Sequence, residues 1–148
     1  MHHRRAIVLL SVLTGLMIAF IWGNSCLSRE ASGAQSGRLT AFLLGILDPN
    51  GLIPVESFHH FVRKMAHFTE FALLGTLVGG LVRRIGLLTG QRLRSLPVLL
   101  VLLVAVTDEY IQYFTGRGSM VTDVVLDFSG ALFGLGLLAL VSVLRKKK

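Results

Sequence analysis

The chain has 148 residues, 53% hydrophobic and 16% charged, with a mean hydropathy of +0.70. That is too apolar for a soluble domain of this size, and it excludes a disordered or charge-solvated chain. The net charge of +7 would indicate nucleic-acid binding only if the basic residues lay apart from the apolar segments, and they abut them.

Apolar stretches long enough to span a bilayer, roughly 17 to 25 residues, occur four times. The first, Ala6–Trp22, follows His2, His3, Arg4 and Arg5. Its 17 uncharged residues exceed the core of a signal peptide, about 7 to 15 residues. The nearest cleavage-like pattern, Ser32-Gly33-Ala34, ends 12 residues beyond Trp22. The segment therefore reads as a retained helix. Cys26 is the single cysteine and has no partner for an internal disulfide. Gly23 and Asn24 stand where a lipobox needs aliphatic and small residues, so Cys26 reads as structural.

Residues 23–37 are rich in Ser, Gly and Ala and read as an ordered loop or short turns. Arg38–Leu47 reads as a short apolar helix closed by the turn signal Asp48-Pro49-Asn50-Gly51. Pro54 suits the first position of a helix that runs unbroken into the second span, about Val62–Val82. Phe58, Phe61, Val62 and Met65 would face lipid headgroups or the bundle, and His59 and His60 solvent. Trp22 and the phenylalanines are interface anchors. The third span, Leu96–Phe114, opens on Pro97, and Gly116-Arg117-Gly118 turns into the fourth, Val121–Leu144. Gly75/Gly79 and Gly130/Gly134 have the spacing that lets membrane helices approach closely. Close packing is expected at Gly130/Gly134, and such faces would also serve a homo-oligomer. The expected fold is an all-α integral membrane protein. Residues 1–148 form a single four-helix bundle domain, with a partly helical extracytoplasmic segment between the first two spans.

Basic residues decide topology. With four spans the termini share a side with the loop 83–95. That side holds Arg4, Arg5, Arg83, Arg84, Arg92, Arg94, Arg145, Lys146, Lys147 and Lys148, which is 10 of the 15 Lys and Arg, and no acid. The remainder holds five cations and all eight acids. Both termini should therefore be cytoplasmic. Basic residues beside spans fix orientation and touch anionic lipid headgroups, so membrane lipid, not nucleic acid, is the expected partner.

The polar residues of the spans are patterned. Arg63, His67, Glu70 and Leu74 lie on one helix face, and Asp123, Asp127, Gly130 and Gly134 repeat that spacing. Asp108 and Gln112 are one turn apart, with Glu109 about 100° round and Arg117 in the following turn. At about 1.5 Å per residue, His67, Asp108 and Asp127 lie roughly 7 to 10 Å inward from the outer ends of their helices. Three helices thus bring polar residues to one level in the outer half of the membrane. An Asp at a helix centre costs about 2.5 to 3.5 kcal/mol on insertion, which makes such residues functional candidates by default. The expected site is an outward-open pocket of Arg63, His67, Glu70, Asp108, Glu109, Gln112, Arg117, Asp123 and Asp127. The competing reading is a locking network in which Arg63 and Arg117 neutralise Asp123 and Glu70. His67 has the chemistry of a general base, a proton relay, a metal ligand or a plain helix contact. Asp123, Asp127, His67 and Glu70 are the donor types of a divalent-ion site, but no recognised metal spacing is present and no metal or other cofactor is assigned. Ser119 lies in a turn and Ser25 in a loop, and neither forms a nucleophile motif.

The runs Ile21-Trp-Gly-Asn-Ser25, Arg63-Lys-Met-Ala-His67-Phe-Thr-Glu-Phe71-Ala-Leu-Leu-Gly75, Asp108-Glu-Tyr-Ile-Gln112-Tyr-Phe-Thr-Gly-Arg117 and Asp123 through Asp127-Phe-Ser-Gly130, in that order, resemble the VanZ-like family. Phe71 stands where tyrosine is more usual. The resemblance implies a bacterial multi-pass envelope protein of the cytoplasmic membrane. The family's namesake is associated with low-level resistance to the glycopeptide teicoplanin. The resemblance marks Lys64, His67, Glu70, Asp108, Glu109, Gln112, Arg117, Asp123 and Asp127, and it names no reaction. In an enzyme, His67, Glu70, Asp108 and Asp127 would be the acid–base groups. Arg63, Lys64, Glu109, Gln112, Arg117 and Asp123 would hold the ligand, a lipid-linked or peptidoglycan-related envelope component. A proton-coupled carrier or flippase, and a non-catalytic assembly factor, are the rival readings.

The charge split gives a direct expectation. A reporter active only outside the cytoplasm, fused after Lys148, gives no signal; a strong signal would invert the topology.

Overall fold

The computed structural model describes residues 2–48, 50–91 and 93–146. Pro49 of the expected turn, and Arg92, Lys147 and Lys148 of the basic set, lie outside the described residues. Five helices follow one another: α1 (His2–Ser25), α2 (Arg29–Leu47), α3 (Val55–Thr89), α4 (Leu96–Phe114) and α5 (Val121–Lys146). There is no strand among the described residues. All except α2 are long and apolar enough to cross a membrane.

The four spanning helices fall where the apolar stretches place them, but several ends are longer. Residues 23–37 are not a loop: α1 continues to Ser25, and α2 already begins at Arg29. The Ser28 side chain accepts the Ala31 N–H, and Glu30 lies in the first turn. A serine cap and an early acid outweigh the glycines in starting a helix there. Likewise α3 runs past Val82 to Thr89 and ends at Gly90, whose φ of 70° is the left-handed stop of a helix. Its 35 residues extend about 52 Å at about 1.5 Å each, well beyond the roughly 30 Å of bilayer hydrocarbon.

The protein core is small. It joins Ile21 of α1, Phe71, Leu74, Val78 and Val82 of α3, Val101, Val104 and Ala105 of α4, and Ala131 of α5. Phe71 is wholly buried among these apolar groups, where a hydroxyl would need a partner. Most large apolar side chains, including Leu16, Leu103 and Leu140, point outward. That is the distribution of a chain whose solvent is lipid. On α2, Leu39, Phe42, Ile46 and Leu47 are exposed while Thr40 is buried. His59 does not face solvent freely: it is half-buried, with Nε2 2.7 Å from the Ser36 hydroxyl of α2. His60 is exposed.

Helices α3 and α5 meet backbone to backbone. A Cβ at Gly75 would overlap the Ala131 carbonyl oxygen, one at Gly130 that of Phe68, and one at Gly134 that of Ala72. At Gly79 the neighbours are the side chains of Leu135 and Leu138 instead. Both glycine pairs are thus engaged within the chain, which removes them as a ready-made oligomer face. Thr76 adds a hydrogen bond to the Gly134 carbonyl at 3.3 Å.

Gly134→Leu should therefore separate α3 from α5, at a cost of about 1 to 3 kcal/mol or more from overpacking. Gly136→Leu, where nothing lies within 4 Å, should not. Melting of the two variants in detergent, followed by size-exclusion of the soluble fraction, distinguishes them.

Candidate functional site

Three helices converge on one point at the end of the bundle where α4 turns into α5. Asp108 of α4 and Asp127 of α5 have no exposed surface. Asp108 is held from two sides: the Ser25 hydroxyl of α1 donates to Oδ1 at 2.6 Å, and the buried Gln112 amide donates to Oδ2 at 2.8 Å. His67 of α3 places Nδ1 3.5 Å from Asp127 Oδ1. Neither Asp127 oxygen has a hydrogen-bond partner. One donor atom from each of His67, Asp108 and Asp127 lies within 4.8 Å of the others. The α3–α5 contact sets this register, because Phe68 follows His67 and meets Gly130, one turn after Asp127.

The turn between α4 and α5 closes the site. Gly116 and Gly118 have φ of 68° and 77°, a conformation that favours glycine. Between them, Arg117 folds inward and is 6% exposed. Its guanidinium donates to the Asn24 carbonyl at 2.6 Å and its N–H to the Gln112 carbonyl at 3.1 Å. Burial, then the nearby Arg63 cation, lower the Arg117 pKa from its ordinary value. The guanidinium stays charged regardless. Thr115 donates from Oγ1 to the Ser25 carbonyl at 3.0 Å. Glu109 is buried and faces inward, accepting the Met120 N–H on Oε2 at 3.1 Å.

Two cavities flank His67. The first, about 290 Å³, is lined by the cations Arg29, Arg63, Lys64 and Arg117 together with Asp123, Asp127, Glu109 and Gln112. The second, about 320 Å³, holds Glu70 and the Ser36 side of α2. His67, Arg63 and Arg117 border both.

The expected residues are thus brought to one end of the bundle but do not line one pocket: Glu70 opens to the second cavity and not the first, and the buried Asp108 lines neither. The competing locking network is absent among the described residues: neither Arg63 nor Arg117 forms an ion pair with Asp123 or Glu70. Three contributors were not foreseen. Ser25 is the last residue of α1, not a loop residue. Its role was visible only as the last position of the Ile21–Ser25 run. Asn24 takes part through its backbone, which side-chain chemistry does not reveal. Arg29 carried no helical pattern linking it to the spans, and reaches the site because α2 starts early; its guanidinium lies against Gly118.

Ser25→Ala removes one of the two hydrogen bonds of a buried carboxylate. It should lower stability by about 0.6 kcal/mol and up to about 1.7, the range of polar contacts between membrane helices. A matched Cys26→Ala change, at an exposed side chain, should leave the melting temperature unchanged.

Comparison with known proteins adds one positive finding. The family described as VanZ/LLP1 matches residues 7–142. No curated protein and no solved structure gives a significant match. The matched segment takes in most of each of the four membrane-length helices and every residue of the buried cluster, and the chain is a member of the VanZ/LLP1 family.

Proposed function

We propose that this protein binds the phosphate-bearing headgroup of an anionic envelope lipid, or of a lipid-linked envelope precursor, in the first cavity. We further propose that it acts in the bacterial cytoplasmic membrane with that cavity facing outward and both termini cytoplasmic, and that it thereby alters susceptibility to glycopeptides such as teicoplanin. The observation that carries this reading is the cluster of Arg29, Arg63, Lys64 and Arg117 around one cavity, none of them in an ion pair with a carboxylate among the described residues. Guanidinium and ammonium groups that are not tied up in direct ion pairs are suited to phosphate, which arginine binds in fork geometry and lysine as a point charge. Arg117 is preoriented by its bond to Asn24, so little ordering is needed on binding. Family membership supports the envelope setting and the glycopeptide link.

A carrier is the second reading. It rests on His67, Arg63 and Arg117 bordering both cavities, so that one set of polar groups meets two adjoining spaces.

Binding of a short-chain phosphatidylglycerol to the purified protein, against phosphatidylcholine, tests the first reading. Lys64→Gln should weaken the anionic lipid by roughly 10- to 100-fold, as expected when a charged hydrogen bond of about 1.5 to 3 kcal/mol is lost, and leave the zwitterionic lipid unaffected. Equal binding of both lipids would refute it. In a sensitive host protected by the parent, His67→Gln and Asp127→Asn should accumulate normally yet give no protection. Full protection would reduce the cluster to scaffolding, and proteoliposome flux decides the carrier reading.

A further inference from the structure

The geometry points to a divalent transition-metal site formed by His67, Asp108 and Asp127, one ligand from each of α3, α4 and α5. This goes beyond headgroup binding and does not depend on it. Asp127 is wholly buried and neither carboxylate oxygen has a hydrogen-bond partner. A buried carboxylate in that condition costs several kcal/mol unless something positive meets it. The nearest group, His67 Nδ1, stands 3.5 Å from Oδ1. That is beyond a good hydrogen bond, about 2.7 to 3.2 Å. It is close to the edge of a tetrahedron with metal–ligand bonds of about 2.0 to 2.2 Å, roughly 3.3 to 3.6 Å. Asp108 completes the set, with all three donor atoms within 4.8 Å of one another.

Charge and supporting contacts agree with this assignment. Two carboxylates and a divalent ion sum to zero, the arrangement a low-dielectric interior tolerates best. Asp108 is oriented by Ser25 and Gln112, as ligating carboxylates are characteristically held by outer hydrogen bonds. One imidazole with two carboxylates suits zinc or manganese: imidazole draws zinc, and oxygen donors accommodate manganese. His67 and Asp127 also border the cation-walled cavity. Three protein ligands leave a coordination position open there, as in metal sites that admit an exogenous ligand.

Zinc and manganese titration of the tag-free chain tests the assignment, by calorimetry in detergent after chelation and dialysis. His2, His3, His59 and His60 are replaced by Gln so that His67 is the only imidazole left. One ion should bind per chain. Asp127→Asn and His67→Gln should each weaken binding by well over about tenfold. Ser25→Ala, which touches the ligand Asp108 and not the ion, should weaken it by about 10- to 100-fold. Asp48→Asn, outside the cluster, should change nothing. No binding by the parent at about 1 mM metal, or binding that persists unchanged in Asp127→Asn, overturns the site. If Asp127→Asn does not fold, Asp108→Asn takes its place. Loss of metal binding with phosphatidylglycerol binding intact would remove the metal site alone.

Discussion

The contact on which the rest depends is the approach of α3 to α5 through Gly75, Gly130 and Gly134, each against a facing carbonyl. Lipid supplies no hydrophobic drive between helices, so packing distance and polar contacts must hold them. Side chains larger than hydrogen at these positions would push the helices apart. The same contact fixes the relative height of the two helices, and so puts His67 opposite Asp127. The site follows from the packing: a slip of one turn, about 5.4 Å, would leave a histidine and a carboxylate facing apolar neighbours.

Around this pair the other helices act as supports. α1 ends where its last hydroxyl reaches Asp108, and its Asn24 carbonyl receives Arg117. α4 supplies Asp108, Glu109 and Gln112 within little more than one turn, all of them buried. Glu109 steadies the connection to α5 by accepting the Met120 N–H. Each buried polar group of this set except Asp127 and part of Asp123 and Arg117 has a hydrogen-bond partner.

Much of this was legible in the sequence, for identifiable reasons. Spans are read from length and hydropathy because a bilayer permits only helices with satisfied backbones. The shared level of His67, Asp108 and Asp127 followed from counting residues inward from the ends, since helical rise is constant. The glycine pairs announced close packing, though not with which helix. What escaped was local and non-periodic. The start of α2 depended on the Ser28 cap in a stretch whose composition resembles a loop. The Ser25 contact links residues 83 apart in the chain, and no pattern within one helix encodes it. The absence of Arg63 and Arg117 ion pairs with Asp123 and Glu70 depended on side-chain reach, which opposite charges in a sequence do not specify.

The connection between α4 and α5 has a mechanical side. It is six residues long, and Arg117 folds back inside it to bond both Gln112 and Asn24. The two carboxylate-bearing helices are thereby strapped together at the end that holds the cluster, while α5 is locked to α3 along its length. Most of the lining of the first cavity comes from α3, α4, α5 and the turn between the last two. α2 is joined to the bundle there chiefly through Ser36, His59 and the buried Thr40, with an apolar face turned outward. The bundle at this end is thus held by direct ties among α3, α4 and α5, with α2 laid against it.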